Sequence, residues 1–156
     1  STEQEWFFNK NISSLGTSKN LNYGFSFHLY RGDTGFSTTN LTIFLRPLLL
    51  QIQDTVNADT LLRSRIDMTV ATGVEVKHDP HVDIPNVPNT TTIYYVSDSD
   101  GDTLVYNETR ESAEYTVKDI VTPKKNRLLI FDGSHYHTGH SPMNNQNRVL
   151  INSNFI

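Results

Sequence analysis

The residues of this chain best suited to chemistry are His81 and Asp83, one residue apart, followed later by His135, His137, His140 and Arg148. On a strand, positions i and i+2 project from one face, so an imidazole and a carboxylate spaced this way can converge on one ion. A further imidazole would complete a set of two nitrogens and one carboxylate, leaving three positions open on an octahedral divalent metal. Such a centre is built to take additional ligands. A nearby arginine supplies a fixed cation whose planar fork grips a carboxylate through two hydrogen bonds and keeps its proton. His-x-Asp alone is common in solvated turns. Here its weight comes from the order His, Asp, His, Arg on strand-like sequence.

Composition agrees with a site of this kind. The chain has no cysteine, so thiolate ligands and disulfides are excluded and a metal must be held by nitrogen and oxygen donors. Its 156 residues suit one domain, read as residues 1–60 supporting a metal-bearing β core over 61–156. An aromatic share of 10% argues against wholesale disorder. A net charge of −4, with no basic block, speaks against a general nucleic-acid binder. No apolar run is long enough to cross a membrane, and the opening Ser1-Thr2-Glu3 does not read as a secretory leader, so a soluble cytoplasmic protein is expected. The Asn-x-Ser/Thr sequons at Asn11, Asn40, Asn89 and Asn107 are then chance, and Arg31-Gly32-Asp33 is a turn.

The elements that must position these side chains are mostly strands. Residues 62–68 and 148–155 alternate apolar and polar positions, and Thr90–Val96, Thr103–Tyr106 and Arg127–Phe131 are β-branched and aromatic runs. Turn-rich stretches separate them, which predicts a sandwich or barrel of the jelly-roll kind. Leu41, Phe44, Leu45, Leu48, Leu49 and Ile52 mark one face of a helix that is kinked at Pro47 or starts near it. Trp6, Phe7 and Phe8 are expected to pack one edge of the core. His81 and Asp83 are expected on a strand. His78 stands three residues from His81, the wrong spacing for a shared strand face, and is expected behind the site or on the surface. Arg63, Arg65 and Asp67 share a face, read as a solvated ion-paired row with a pocket-mouth role as the rival.

Two histidines and one carboxylate are the ligand set of non-haem Fe(II) oxygenases, whose open positions take a bidentate 2-oxo acid and dioxygen. From Arg63 onward the chain resembles the 2-oxoglutarate/Fe(II) oxygenases of the prolyl-hydroxylase type, including short phage-encoded members. The matching stretches are His81-Val82-Asp83, Ile93-Tyr94-Tyr95-Val96, Gly101 to Leu104, Asn126 to Gly133, His137 and Arg148 to Asn152. The resemblance implies a double-stranded β-helix, mainly β with N-terminal helical support. It implies Fe(II) held by His81, Asp83 and His137 as the catalytic residues. It also implies 2-oxoglutarate gripped by Arg148, with Tyr95 reaching the same carboxylate and ascorbate as an accessory reductant. His137 is preferred over His135 and His140 because ten residues separate it from Arg148, as in the family. Asp102 stands where many relatives have a second glycine. The activity implied is hydroxylation of a prolyl residue in a peptide or protein, in a host-cell cytoplasm if the source is viral. The rivals are the same chemistry on a small metabolite and a non-catalytic cupin-like binding or structural module.

Overall fold

The computed structural model describes residues 5–10, 23–74 and 76–156. Its elements in chain order are β1 (Phe7–Asn9), β2 (Gly24–Arg31), β3 (Gly35–Phe36), α1 (Asn40–Thr55), β4 (Leu61–Val70), β5 (Thr90–Tyr95), β6 (Thr103–Tyr106), β7 (Val117–Val121), β8 (Leu128–Asp132), β9 (His137–Gly139) and β10 (Asn147–Phe155). They form two antiparallel sheets. The larger runs β1-β2-β4-β10-β5-β8 with β3 alongside β2, and the smaller runs β7-β6-β9. This is the expected mainly β jelly roll, supported by one N-terminal helix among the described residues. Among the described residues no helix is long and apolar enough to cross a membrane.

The helix is written clearly into its sequence. Thr39 caps it by accepting a hydrogen bond from the Thr42 amide at 3.2 Å. It ends in a Schellman arrangement: the Asn57 amide donates to Asp54 and the Ala58 amide to Gln53, with Asn57 at a positive φ of 52°. Between these ends α1 runs through Pro47 rather than starting there. The bond lost is the one Pro47 cannot donate to Ile43, on the helix's exposed side.

Alternation on the strands sorts two faces of the large sheet. Phe27, Leu29, Leu61, Ile66, Ile151 and Phe155 pack with Leu49 and Ile52 of α1 into the main core. The opposite face looks toward the small sheet and carries the polar residues. Pairing register lines these up in rows across the sheet: Arg31, Arg63, Asn154 and Thr91, then His28, Arg65, Asn152 and Ile93, then Ser26, Asp67, Leu150 and Tyr95. Thr69 and Arg148 form the next row. A bulge between His28 and Tyr30 lets Arg31 rejoin the polar face while Leu29 stays in the core.

Three local expectations change. Phe7 and Phe8 are more than half exposed on the edge strand β1, where Phe8 stacks with Tyr23 and Phe25 instead of closing the core. The first sixty residues contribute strands as well as the helix, since β2 lies beside β4 in the large sheet. His81 is held not by a strand but by an isolated bridge to His137, and Asp83 follows in a bend. Of the four sequons, Asn11 lies outside the described residues, and Asn89 is buried.

Candidate metal centre and its anion pocket

The bridge fixes the two histidines against each other. The His81 amide donates to the His137 carbonyl at 3.0 Å and the His137 amide donates back at 2.9 Å, leaving the two rings 4.6 Å apart. Residues paired this way across an antiparallel bridge send their side chains to the same side, which replaces the strand expected for the His81 segment. Each ring has a backbone carbonyl beside Nδ1: Asp79 at 3.1 Å for His81 and His135 at 3.4 Å for His137. A proton held at Nδ1 leaves Nε2 with a free lone pair, the arrangement that prepares an imidazole for a metal.

Both Nε2 atoms face Asp83, His81 at 3.8 Å from Oδ1 and His137 at 3.7 Å from Oδ2. These separations are too long for hydrogen bonds. The donor atoms of all three residues lie within 4.8 Å of one another. His137 Nε2 is buried and without a hydrogen-bond partner, a costly position for a polar atom that a metal ion would relieve. The residues present therefore fit a divalent ion with nitrogen and oxygen ligands.

Asp83 is tightly held. Arg63 Nη2 approaches Oδ1 at 2.8 Å, and the amides of Asn152 and Asn154 donate to Oδ2 at 3.0 and 3.3 Å. Burial opposes the carboxylate's charge, but Arg63, the two imidazoles and Asn152 outweigh it and hold Asp83 well below the usual carboxylate range. Burial, followed by the electrostatic influence of His137, brings His81 down to about 4, so the ring is neutral at physiological pH. Phe131 packs edge-on against His137 at 5.1 Å and closes one side.

Arg148 lines the same cleft as His81 and His137, on β10 and only 6% exposed. Its Nη2 donates to Thr103 Oγ1 at 2.6 Å, and the Tyr95 hydroxyl donates to that same oxygen at 2.7 Å. Arg148 has no carboxylate in ion-pair contact among the described residues, and its Nε is buried and unsatisfied. Burial lowers its pKa from the ordinary value, with Tyr95, Asp67 and Asp102 pulling the other way. A buried guanidinium without a carboxylate partner is costly, and an anion placed beside it would relieve that cost. Gly101 and Gly139 make room for it. A Cβ on Gly101 would press into the His140 carbonyl oxygen and stand 2.9 Å from Arg148 Cδ, and one on Gly139 would lie 3.2 Å from both terminal nitrogens. Asp102, the departure noted in the sequence, is not among the residues lining the cleft.

The structure thus brings His81, Asp83 and His137 into one cluster and puts Arg148 and Tyr95 together around Thr103. His135 is turned away, its Nε2 3.1 Å from Lys118 Nζ on β7, and His140 follows β9 in a bridge with Lys77. His78 is not on the surface. It is 5% exposed, lines the cleft, and its Nε2 sits 3.1 Å from Ser141 Oγ. The row Arg63, Arg65, Asp67 is not solvated either: it faces the interior, with Arg65 Nε 2.7 Å from a buried Asp67. Thr103 and the role of Arg63 on Asp83 were missed in the sequence. The signal available was parity: Arg63 shares a β4 face with Arg65 and Asp67, as Asn152 and Asn154 share one with Arg148.

No protein-family model matches the chain, and no curated protein is significantly similar to it in sequence. Solved structures are similar in fold. An oxidoreductase of the 2OG-Fe(II) oxygenase family from Burkholderia pseudomallei superposes with a TM-score of 0.67 at 11% identity, over 97% of this chain and 71% of that one. A prolyl-4-hydroxylase from Pseudomonas putida gives 0.52 at 12% identity, over 85% and 68%. A Trichoplax adhaerens prolyl hydroxylase, solved with a hypoxia inducible factor peptide, gives 0.56 at 14% identity, over 85% of this chain and 62% of that one, less than two thirds of its length. At these identities the likeness establishes architecture, and the chain has the double-stranded β-helix fold found in 2-oxoglutarate/Fe(II) oxygenases.

Proposed function

We propose that this protein is a 2-oxoglutarate- and Fe(II)-dependent dioxygenase that hydroxylates an unactivated C–H bond. The balanced reaction consumes substrate, dioxygen and 2-oxoglutarate and yields an alcohol, succinate and CO2. The observation that carries this reading is the pairing, in one cleft, of the His81–Asp83–His137 cluster with the buried, uncompensated Arg148. A structural metal site needs no such arginine. A five-carbon dicarboxylate that chelates a metal at one end needs a cation at the other.

In this reading His81, Asp83 and His137 hold Fe(II), which when bound with the 2-oxo acid supplies the activation of dioxygen. The chain's own part is placement. Arg148 receives the distal carboxylate through its fork, and Thr103 and Tyr95 orient that guanidinium. Arg63, Asn152 and Asn154 keep Asp83 ionised and aimed. Ile93, Leu150 and Phe131 provide apolar walls that limit water around the reacting centre. A prolyl residue in a peptide is the finer reading, supported by the sequence resemblance and by prolyl hydroxylases among the structural neighbours.

The test is anaerobic addition of Fe(II) and 2-oxoglutarate, with a weak visible charge-transfer band as the expected result. His137→Ala should abolish the band and His135→Ala should leave it. Arg148→Ala should raise the 2-oxoglutarate concentration needed to develop it by tenfold or more. A chain that shows neither the band nor succinate formation is a binding or structural module instead.

A further inference from the structure

The interior face of the large sheet carries further positive residues, and Arg65 among them lines the same cleft as Arg148, two rows away along the face. Arg31 and Arg63 are cross-strand partners in one row, and His28 and Arg65 are partners in the next. Three guanidiniums from two adjacent strands therefore gather around His28, and one of them, Arg63, pairs with Asp83, on a chain whose net charge is −4. Their burial is graded. Arg148 is 6% exposed, whereas the Arg65 and Arg63 side chains are 19% and 22% exposed and Arg31 at the strand end is exposed. One positive end of the site is thus sealed and the other opens outward.

The carboxylates on this side do not exhaust the donors. Asp83 takes Arg63 through Nη2, and Arg63 Nε is left buried and unsatisfied. Asp67 takes Arg65 through Nε, so the two terminal nitrogens of Arg65, which lines the cleft, make no hydrogen bond among the described residues. His28 Nδ1 is likewise buried without a partner. Arg31 forms no ion pair among the described residues. Burial and the positive charges of Arg31, Arg65 and Arg63 bring His28 down to about 4, against a smaller opposing pull from Asp33. Burial is the larger cause of that depression, and the three guanidiniums add to it.

We infer that Arg65, with Arg31 and His28 at its outer side, forms a carboxylate-binding subsite for the primary substrate. The substrate therefore carries a carboxylate a few bonds from the C–H that faces the metal. This rests on the oxygenase reading and narrows it, favouring a free amino acid, a small carboxylic acid or a chain-terminal residue over an internal residue of a neutral peptide. Arg65 is ion-paired with Asp67 through Nε at 2.7 Å, which leaves the terminal pair of its planar fork for a carboxylate. Arg148 is too deeply enclosed to serve the same group once the co-substrate occupies it.

The inference can be tested without turnover. The 15N-labelled protein, with saturating 2-oxoglutarate and Zn(II) in place of iron, is titrated with matched pairs: cyclopentanecarboxylate against its carboxamide, and L-proline against L-prolinamide. The expected result is a shift of the Arg65 Nε–H resonance and of β2 and β4 amides by the acids, with the amides binding at least tenfold more weakly. Arg65→Gln and, separately, Arg31→Gln should each weaken acid binding severalfold; the second variant stands if loss of the partner to Asp67 unfolds the first. Equal binding of acid and amide, or shifts confined to residues around Arg148 that vanish when 2-oxoglutarate is added, would overturn it. Acid-selective shifts on β2 and β4 in a protein that forms no iron band would uphold the subsite and remove the oxygenase reading.

Discussion

At the residue scale the decisive side chain is Asp83, because both of its oxygens are spoken for before any metal arrives. Arg63 engages Oδ1, and Asn152 and Asn154 engage Oδ2. Partners of this kind orient a ligand and set its basicity, and their removal typically weakens metal binding about 10- to 100-fold. Asn152→Leu should therefore weaken Mn(II) binding, measured by calorimetry, by roughly that factor while the circular dichroism spectrum stays native. An unchanged affinity would show that Asn152 merely fills space. His78 makes a different prediction. Its burial, followed by the charges of Arg148, His81 and His140, lowers its pKa from 6.5 to about 3. The unfolded chain then takes up a proton near pH 6.5 while the folded one refuses it, so stability falls as pH drops from about 6.5 toward about 3 and is unaffected above that window. At pH 5 this amounts to roughly 2 kcal/mol. The gap in unfolding free energy between pH 7.5 and pH 5 should accordingly be smaller in His78→Gln than in the parent chain. Equal gaps would mean that His78 is not held neutral.

At the element scale the site depends on where strands end and how closely their backbones approach. β10 supplies Arg148, Asn152 and Asn154 from one face because side chains alternate, and this was readable from the 148–155 pattern. β2 was not recognised, although Gly24–Arg31 also alternates. Its polar set faces a polar interior and its apolar set faces the helix, so neither face looks like an ordinary wet surface. β7 is an exposed edge strand whose Val117-Lys118-Asp119-Ile120-Val121 has no buried face to impose a period. The His81 segment was read as a strand because i and i+2 convergence needs one in isolation. The fold achieves that convergence by a two-bond bridge to His137, a long-range contact with no local signature. Gly101 shows how tight these approaches are. A methyl there meets the His140 carbonyl oxygen and Arg148 Cδ, and backbone cannot retreat as a flexible side-chain tip can. Gly101→Ala should cost about 1–3 kcal/mol in denaturant unfolding and raise the 2-oxoglutarate requirement by moving Arg148. A variant with native stability and unchanged requirement would mean that the loop shifts freely.

At the scale of the whole molecule, the seam between the two sheets is unusually polar. Arg148, Asp67, Asn152, Asn154, His78 and His137 are all buried there, while the apolar packing that holds the chain together lies mostly on the other face, against α1. The chain thus separates stability from chemistry by sheet face, which is why the fold was legible from patterns of apolar residues and much of the site was not. The ordered set His81, Asp83, His137 and Arg148 is named from residue type and order together with the family resemblance; Arg63 and Thr103 touch it through contacts that only the three-dimensional register creates. A polar seam built around uncompensated groups should be the place where ligands stabilise the fold. A ligand that binds only the folded chain adds about 2.7 kcal/mol at a free concentration one hundred times its dissociation constant. For a domain of this size that corresponds to roughly 5–10 °C in Tm. Mn(II) should raise Tm by that order, 2-oxoglutarate should add a further rise only when the metal is present, and EDTA should reverse both. His137→Ala should lose both rises, because the metal comes first. Arg148→Ala should keep the first and lose most of the second, because the cluster is intact and only the distal grip is gone. If 2-oxoglutarate stabilised the metal-free chain as strongly as the loaded one, the two ends of the cleft would be independent anion and metal sites, and the chelate linking them would not form.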